Sequence, residues 1–136
     1  MLTTLITVIT TMIAVGGFLA GIYQYRRTVQ LNTFRLYADK YNSIITPAIL
    51  DKWTKALGGE DENWAELTPT MIAYLNLIWE EYYLSRNGII SKSLWRIWRP
   101  TVNRIINTGF ARQVMTRYHY YFPPDLLGEI HDYANQ

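Results

Sequence analysis

Arg112 and His119 are the side chains whose types and spacing best suit a chemical reaction, in the run Arg112-Gln113-Val114-Met115-Thr116-Arg117-Tyr118-His119. Seven residues make almost two helical turns. A continuous helix would therefore set both on one face, about 10 Å apart along its axis. An arginine that holds a phosphate and a histidine that moves a proton are the parts of a metal-independent ribonuclease. The chain has only one other histidine, His131, and no cysteine, so an ordinary zinc site is excluded. No nucleophile elbow, phosphate loop or glycine-rich nucleotide motif occurs, and neither metal nor cofactor is expected.

Charge suggests a second kind of chemistry. The net charge of +2 hides an asymmetry: residues 82–124 contain no acid, while Arg86, Lys92, Arg96, Arg99, Arg104, Arg112 and Arg117 are all basic. A stretch this one-sided attracts polyanions. Arg96, Arg99, Arg104 and Arg117 form the candidate basic patch. Anionic lipid headgroups are one expected partner, at about 1 kcal/mol per basic residue near a membrane surface. RNA is the other, with Trp95, Trp98, Tyr118 and Tyr120 offering faces for base stacking. The alternative is that these arginines pair with Glu80, Glu81 and the acidic segment at residues 60–66.

What must position these groups begins with the anchor. The first 25 residues carry no charged side chain, and Arg26 and Arg27 follow directly. Residues 2–23 are long enough to cross a hydrocarbon core of roughly 30 Å. Met1-Leu2-Thr3-Thr4 lacks the basic region of a secretory signal, so an uncleaved transmembrane helix over residues 1–25 is expected rather than a leader or a buried core helix. Arg26-Arg27 predicts that the N-terminus faces outward and that residues 26–136 form a cytosolic helical domain.

The anchor also has a distinctive face. Thr3, Thr7, Thr10, Ala14, Gly17 and Gly21 follow a 4-3-4-3-4 spacing, and Thr4 and Thr11 lie in the same arc. Small and hydroxylated residues on one stripe allow close backbone approach, and Gly17 with Gly21 forms a GxxxG. Self-association is expected, as a tight helix pair or as a ring whose threonines face water. The competing reading is that the hydroxyls bond back to their own helix.

No proline or glycine interrupts residues 22–45, so one helix is expected to run on to Thr46-Pro47, with Val29, Phe34, Tyr37, Tyr41 and Ile44 seeking helical partners. A second helix should begin at Pro47 and end at Leu57, before Gly58-Gly59. Thr68-Pro69 predicts the start of a third, with Met71, Tyr74, Leu75, Ile78 and Tyr82 as its apolar stripe and Asn87-Gly88 as its stop. Ser91 should cap a fourth, which Pro100 should kink or restart near Arg99 and Gly109 should close. A helical run over 110–122 and a short terminal helix to Tyr133 complete an all-α chain. Most of the aromatic residues, 15% of the whole, fall at core spacings.

A hydrophobic span followed by Tyr25-Arg26-Arg27, then a helical domain carrying Trp79-Glu80-Glu81-Tyr82-Tyr83-Leu84-Ser85-Arg86-Asn87-Gly88-Ile89-Ile90, resembles small single-pass bacterial membrane proteins. Within these it is similar to the membrane accessory proteins of type VI-B CRISPR loci. The resemblance implies a HEPN-like bundle with an Arg-x(4–6)-His motif at Arg112 and His119, assembled at the bacterial inner membrane into a ring-shaped pore. It further implies antiviral defence as the setting, and RNA or an RNA-guided effector protein as a partner. Gln113 stands where HEPN nucleases carry Asn, Asp or His, so a scaffold is expected ahead of an enzyme. Three functions follow as expectations: a homo-oligomeric pore or membrane-perturbing effector, a membrane-tethered RNA-binding protein or ribonuclease, and a scaffold for a cytosolic partner.

Overall fold

The computed structural model describes residues 1–124 together with Leu126 and Gly128. Among these residues the chain is helical and contains no strand. Its elements are α1 (Leu2–Ile44), α2 (Leu50–Leu57), a 3₁₀ turn at Asp61–Asn63, α3 (Trp64–Arg86), α4 (Lys92–Ile106), α5 (Gly109–Arg117) and a 3₁₀ turn at His119–Tyr121. The chain divides into two units, Met1–Arg35 and Leu36–Gln136. The expected terminal helix to Tyr133, and His131, lie outside the described residues.

The first unit is α1 up to Arg35. With 43 residues, α1 is about 65 Å long, roughly twice the thickness of a hydrocarbon core. Its first part is long and apolar enough to cross a membrane, and no residue of that stretch is buried within the protein.

In the second unit the core is built from rings. Met71, Tyr74, Leu75, Ile78 and Tyr82 on α3 are all buried, as their helical spacing predicts. Trp53 and Ala56 of α2, Val102, Ile105 and Ile106 of α4, and Phe110, Ala111 and Val114 of α5 close around them. Of the apolar set along the later part of α1, Tyr37 is buried and Tyr41 and Ile44 pack on the core, whereas Val29 and Phe34 are 38% and 42% exposed.

Several helix boundaries differ from expectation, each for a visible reason. α2 begins at Leu50; Pro47 instead opens the turn before it, its carbonyl accepting from the Leu50 amide at 3.4 Å. α3 starts at Trp64, four residues before Thr68. The Trp64 ring stacks on Phe110, with centroids 5.4 Å apart and planes 17° apart, and its indole N–H donates to Ala56 O at 3.2 Å. That packing fixes an extra turn. Thr68 lies inside the helix, its hydroxyl donating to Trp64 O at 2.7 Å. Pro69 has no N–H to give Ala65 O, and the helix continues regardless.

Pro100 likewise lies within an unbroken α4, because Leu94 and Trp95 before it and Val102, Ile105 and Ile106 after it are all buried. Gly109 opens α5 instead of closing α4. Thr108 separates the two helices: its hydroxyl donates to Ile105 O at 2.7 Å and accepts from the Ala111 amide at 3.2 Å. Ser91 caps α4 as expected, accepting from Leu94 N. Asn87-Gly88 ends α3 as expected. Gly88 adopts φ +74°, and the Ile89 and Gly88 amides bond to Leu84 O and Ser85 O, closing the last turn.

Candidate functional site

The run from Arg112 to His119 is not one helix. α5 ends at Arg117, Tyr118 leaves helical geometry at φ −116°, ψ 29°, and His119 opens a separate 3₁₀ turn. The rise of 1.5 Å per residue therefore does not carry from Arg112 to His119. Arg112 reaches back toward the start of α5 and donates from Nη2 to Asn107 Oδ1 at 2.9 Å. His119 Nδ1 lies 3.2 Å from Thr116 O, and its ring meets Tyr120 edge-on, centroids 5.8 Å apart. Both residues are exposed, and each is held by a different neighbour. No hydrogen bond between them is present among the described residues.

Of the candidate basic patch, Arg96 and Arg104 on α4 and Arg117 on α5 are exposed, and Arg99 is half-buried. Two of the acids expected to neutralise them, Glu80 and Glu66, are engaged otherwise. Glu80 accepts from Lys40 Nζ at 2.8 Å and from the Tyr37 hydroxyl at 2.9 Å. Burial works to raise its pKa, but these two donors outweigh it and hold the carboxyl below the usual range. Glu66 pairs with Lys52, and Asp51 with Lys55. Arg96, Arg104 and Arg117 make no ion pair among the described residues.

Glu81, next along α3, is fully buried, and neither carboxylate oxygen has a hydrogen-bond partner. Burial, then the neighbouring Glu80 charge, pushes it up to about 8 against the weaker pull of Lys40. Sequence alone shows only two consecutive acids. Which one faces inward depends on the rotation of α3 against α1.

The proposed stacking residues divide sharply. Trp95 is 3% exposed and Trp98 packs against Tyr37 at 5.7 Å, so neither offers a free face. Tyr118 and Tyr120 lie at the surface beside Tyr121, which sequence reasoning missed. Tyr120 and Tyr121 are 67% and 56% exposed, with rings 4.6 Å apart. The Arg117 guanidinium carbon sits 5.8 Å from the Tyr118 ring centroid. The signal was the unbroken run Tyr118-His119-Tyr120-Tyr121-Phe122, in which His119, Tyr120 and Tyr121 stay outside, Tyr118 is half-buried against the core and Phe122 enters it.

On α1 the hydroxyls of Thr7, Thr10 and Thr11 donate to Thr3 O, Ile6 O and Thr7 O at 2.8–2.9 Å. Their protons are thus spent on their own helix, and their lone pairs remain open. A side chain added at Gly16, Gly17 or Gly21 would meet nothing within 4 Å. The stripe from Thr3 to Gly21, with Ala14, therefore lies on an exposed stretch of α1.

Among the described residues, fold and surface together define a helical protein with one helix of membrane-spanning length. No protein-family model, curated protein or solved structure matches the chain.

Proposed function

We propose that the chain is a single-pass protein of the bacterial inner membrane that self-associates along the Thr3–Thr7–Thr10–Ala14–Gly17–Gly21 stripe and acts as a pore-forming or membrane-perturbing effector. The observation that carries this reading is the stripe's open, small-residue surface on a helix otherwise clad in exposed Leu, Ile, Val, Met and Phe. Lipid suits the large side chains. The stripe, with two glycines one turn apart, suits a second copy. Because the Thr7 and Thr10 donors are already satisfied, the stripe gains from association chiefly by close van der Waals approach. In a ring its hydroxyl oxygens would accept hydrogen bonds from water. Arg26 and Arg27 set the orientation, with the second unit in the cytosol. The defence setting and a HEPN-like identity for the bundle remain part of this proposal and rest on the resemblance.

The test is membrane potential in cells expressing the protein. Expression should depolarise the membrane, and Thr7→Leu with Thr10→Leu should abolish that effect while leaving the protein in the membrane, since a leucine lining resists wetting. An unchanged depolarisation in the double variant would remove the pore reading.

One observation favours a second reading. The exposed Tyr120–Tyr121 pair, joined through Tyr118 to Arg117, has the parts of a single-strand RNA platform, rings for stacking and a cation for phosphate. In this reading the protein is a membrane-tethered RNA-binding protein. Cleavage by Arg112 and His119 is the less supported extension, because the end of α5 falls between them.

A further inference from the structure

A cleft of about 400 Å³ opens where the start of α3 faces α5, a size common for ligand sites. Asp61, Trp64, Thr68, Gln113, Arg117 and Tyr118 supply its chemistry, and Val114 and Ala65 complete the lining. One face of Trp64 is covered by Phe110. Tyr118, half-buried in the cleft lining, also meets the rings of the exposed Tyr120 and Tyr121, so the cleft adjoins that pair.

We propose that this cleft receives a guanine base of single-stranded RNA, with Asp61 reading its Watson–Crick edge and Arg117 holding the adjoining phosphate. The inference rests on the RNA-binding reading. A carboxylate and a guanidinium in one cleft call for a ligand with a donor edge and an anionic group. Guanine presents two adjacent donors, N1–H and the N2 amine, which match the two oxygens of a carboxylate. Adenine, cytosine and uracil each place an acceptor beside their donor and leave one carboxylate oxygen opposed. The acidic segment that carries Asp61 also contains Glu60 and Glu62, which repel phosphate. The base therefore enters on the Asp61 side, and the backbone runs past Arg117, from which neighbouring bases reach Tyr120 and Tyr121.

The experiment uses the full chain in detergent micelles and two fluorescein-labelled RNA oligonucleotides, one all uridine and one with a single central guanosine, read by anisotropy. The guanosine oligonucleotide should bind about tenfold more tightly, the discrimination one bidentate base contact provides. Asp61→Asn should erase that difference. Arg117→Gln should weaken both oligonucleotides alike and flatten their salt dependence. Equal affinity for the two oligonucleotides, or a guanosine preference that survives Asp61→Asn, overturns the proposal and leaves RNA binding standing. Binding of neither overturns both. Asp61 is exposed, and thermal unfolding followed by circular dichroism checks that its variant folds.

Discussion

Glu81 places a carboxyl group in the second unit's interior without a hydrogen bond, and a buried ionised carboxylate without partners is strongly disfavoured. Around it stand Glu80, Lys40, Tyr37 and the hydrogen-bonded pair Tyr41–Tyr74. Its folded pKa of about 8 lies above the ordinary 4.5. Near neutral pH the folded chain therefore holds a proton that the unfolded chain has released. The sign follows: the proton-linked stability is fully present below about pH 4.5, falls as pH rises, and is lost once pH passes about 8. Urea unfolding of the detergent-solubilised protein should show that decline. Glu81→Leu should remove it and raise stability by about 1–3 kcal/mol at pH 8, since two unpartnered polar atoms are replaced by apolar ones. A pH profile identical in wild type and variant would contradict this assignment. Arg112 and His119 illustrate the opposite case at the same scale. Their types are plain in the sequence, but Tyr118 ends the helix between them. If cleavage nonetheless occurs, His119→Ala should abolish it without changing the oligomeric mass.

Helix ends in this protein are settled by whichever of capping and packing is stronger locally. Thr108 serves two helices with one hydroxyl, so Thr108→Ala should lower stability by about 1 kcal/mol while Thr108→Ser retains most of it, as thermal unfolding would register. Thr68-Pro69 has the form of a helix start, yet the Trp64–Phe110 stack begins α3 a turn earlier. Pro100 has the form of a break, yet five buried side chains hold α4 through it. Such packing energies exceed what local propensity supplies. Among the described residues nothing packs against the stripe of α1, and its expected partner is another copy. Gly17→Leu with Gly21→Leu should block close approach, and a protein-only mass in detergent falling to that of a monomer is the expected result.

For the whole molecule, orientation is the property on which every functional reading depends. A reporter fused after Gln136 should be active in the cytosol, as Arg26 and Arg27 predict; activity confined to the outside would overturn the pore, RNA and scaffold readings together. The sequence by itself determined the all-α class, the uninterrupted α1, the membrane-length apolar segment, the α3 core stripe and the stops at Gly88 and the Ser91 cap. All of these arise from interactions within a few residues: helical periodicity, the absence of charge, and the φ that only glycine adopts freely. Only tertiary structure decided that Glu81 rather than Glu80 turns inward, that Trp95 is enclosed while Tyr120 and Tyr121 stay outside, and that Asp61 and Arg117 line one cleft. Asp61 and Arg117 are far apart in the chain, and no local rule relates them. Their place in one cleft follows from the way α3 and α5 pack around Trp64 and Phe110, a contact set by the shape of the assembled core.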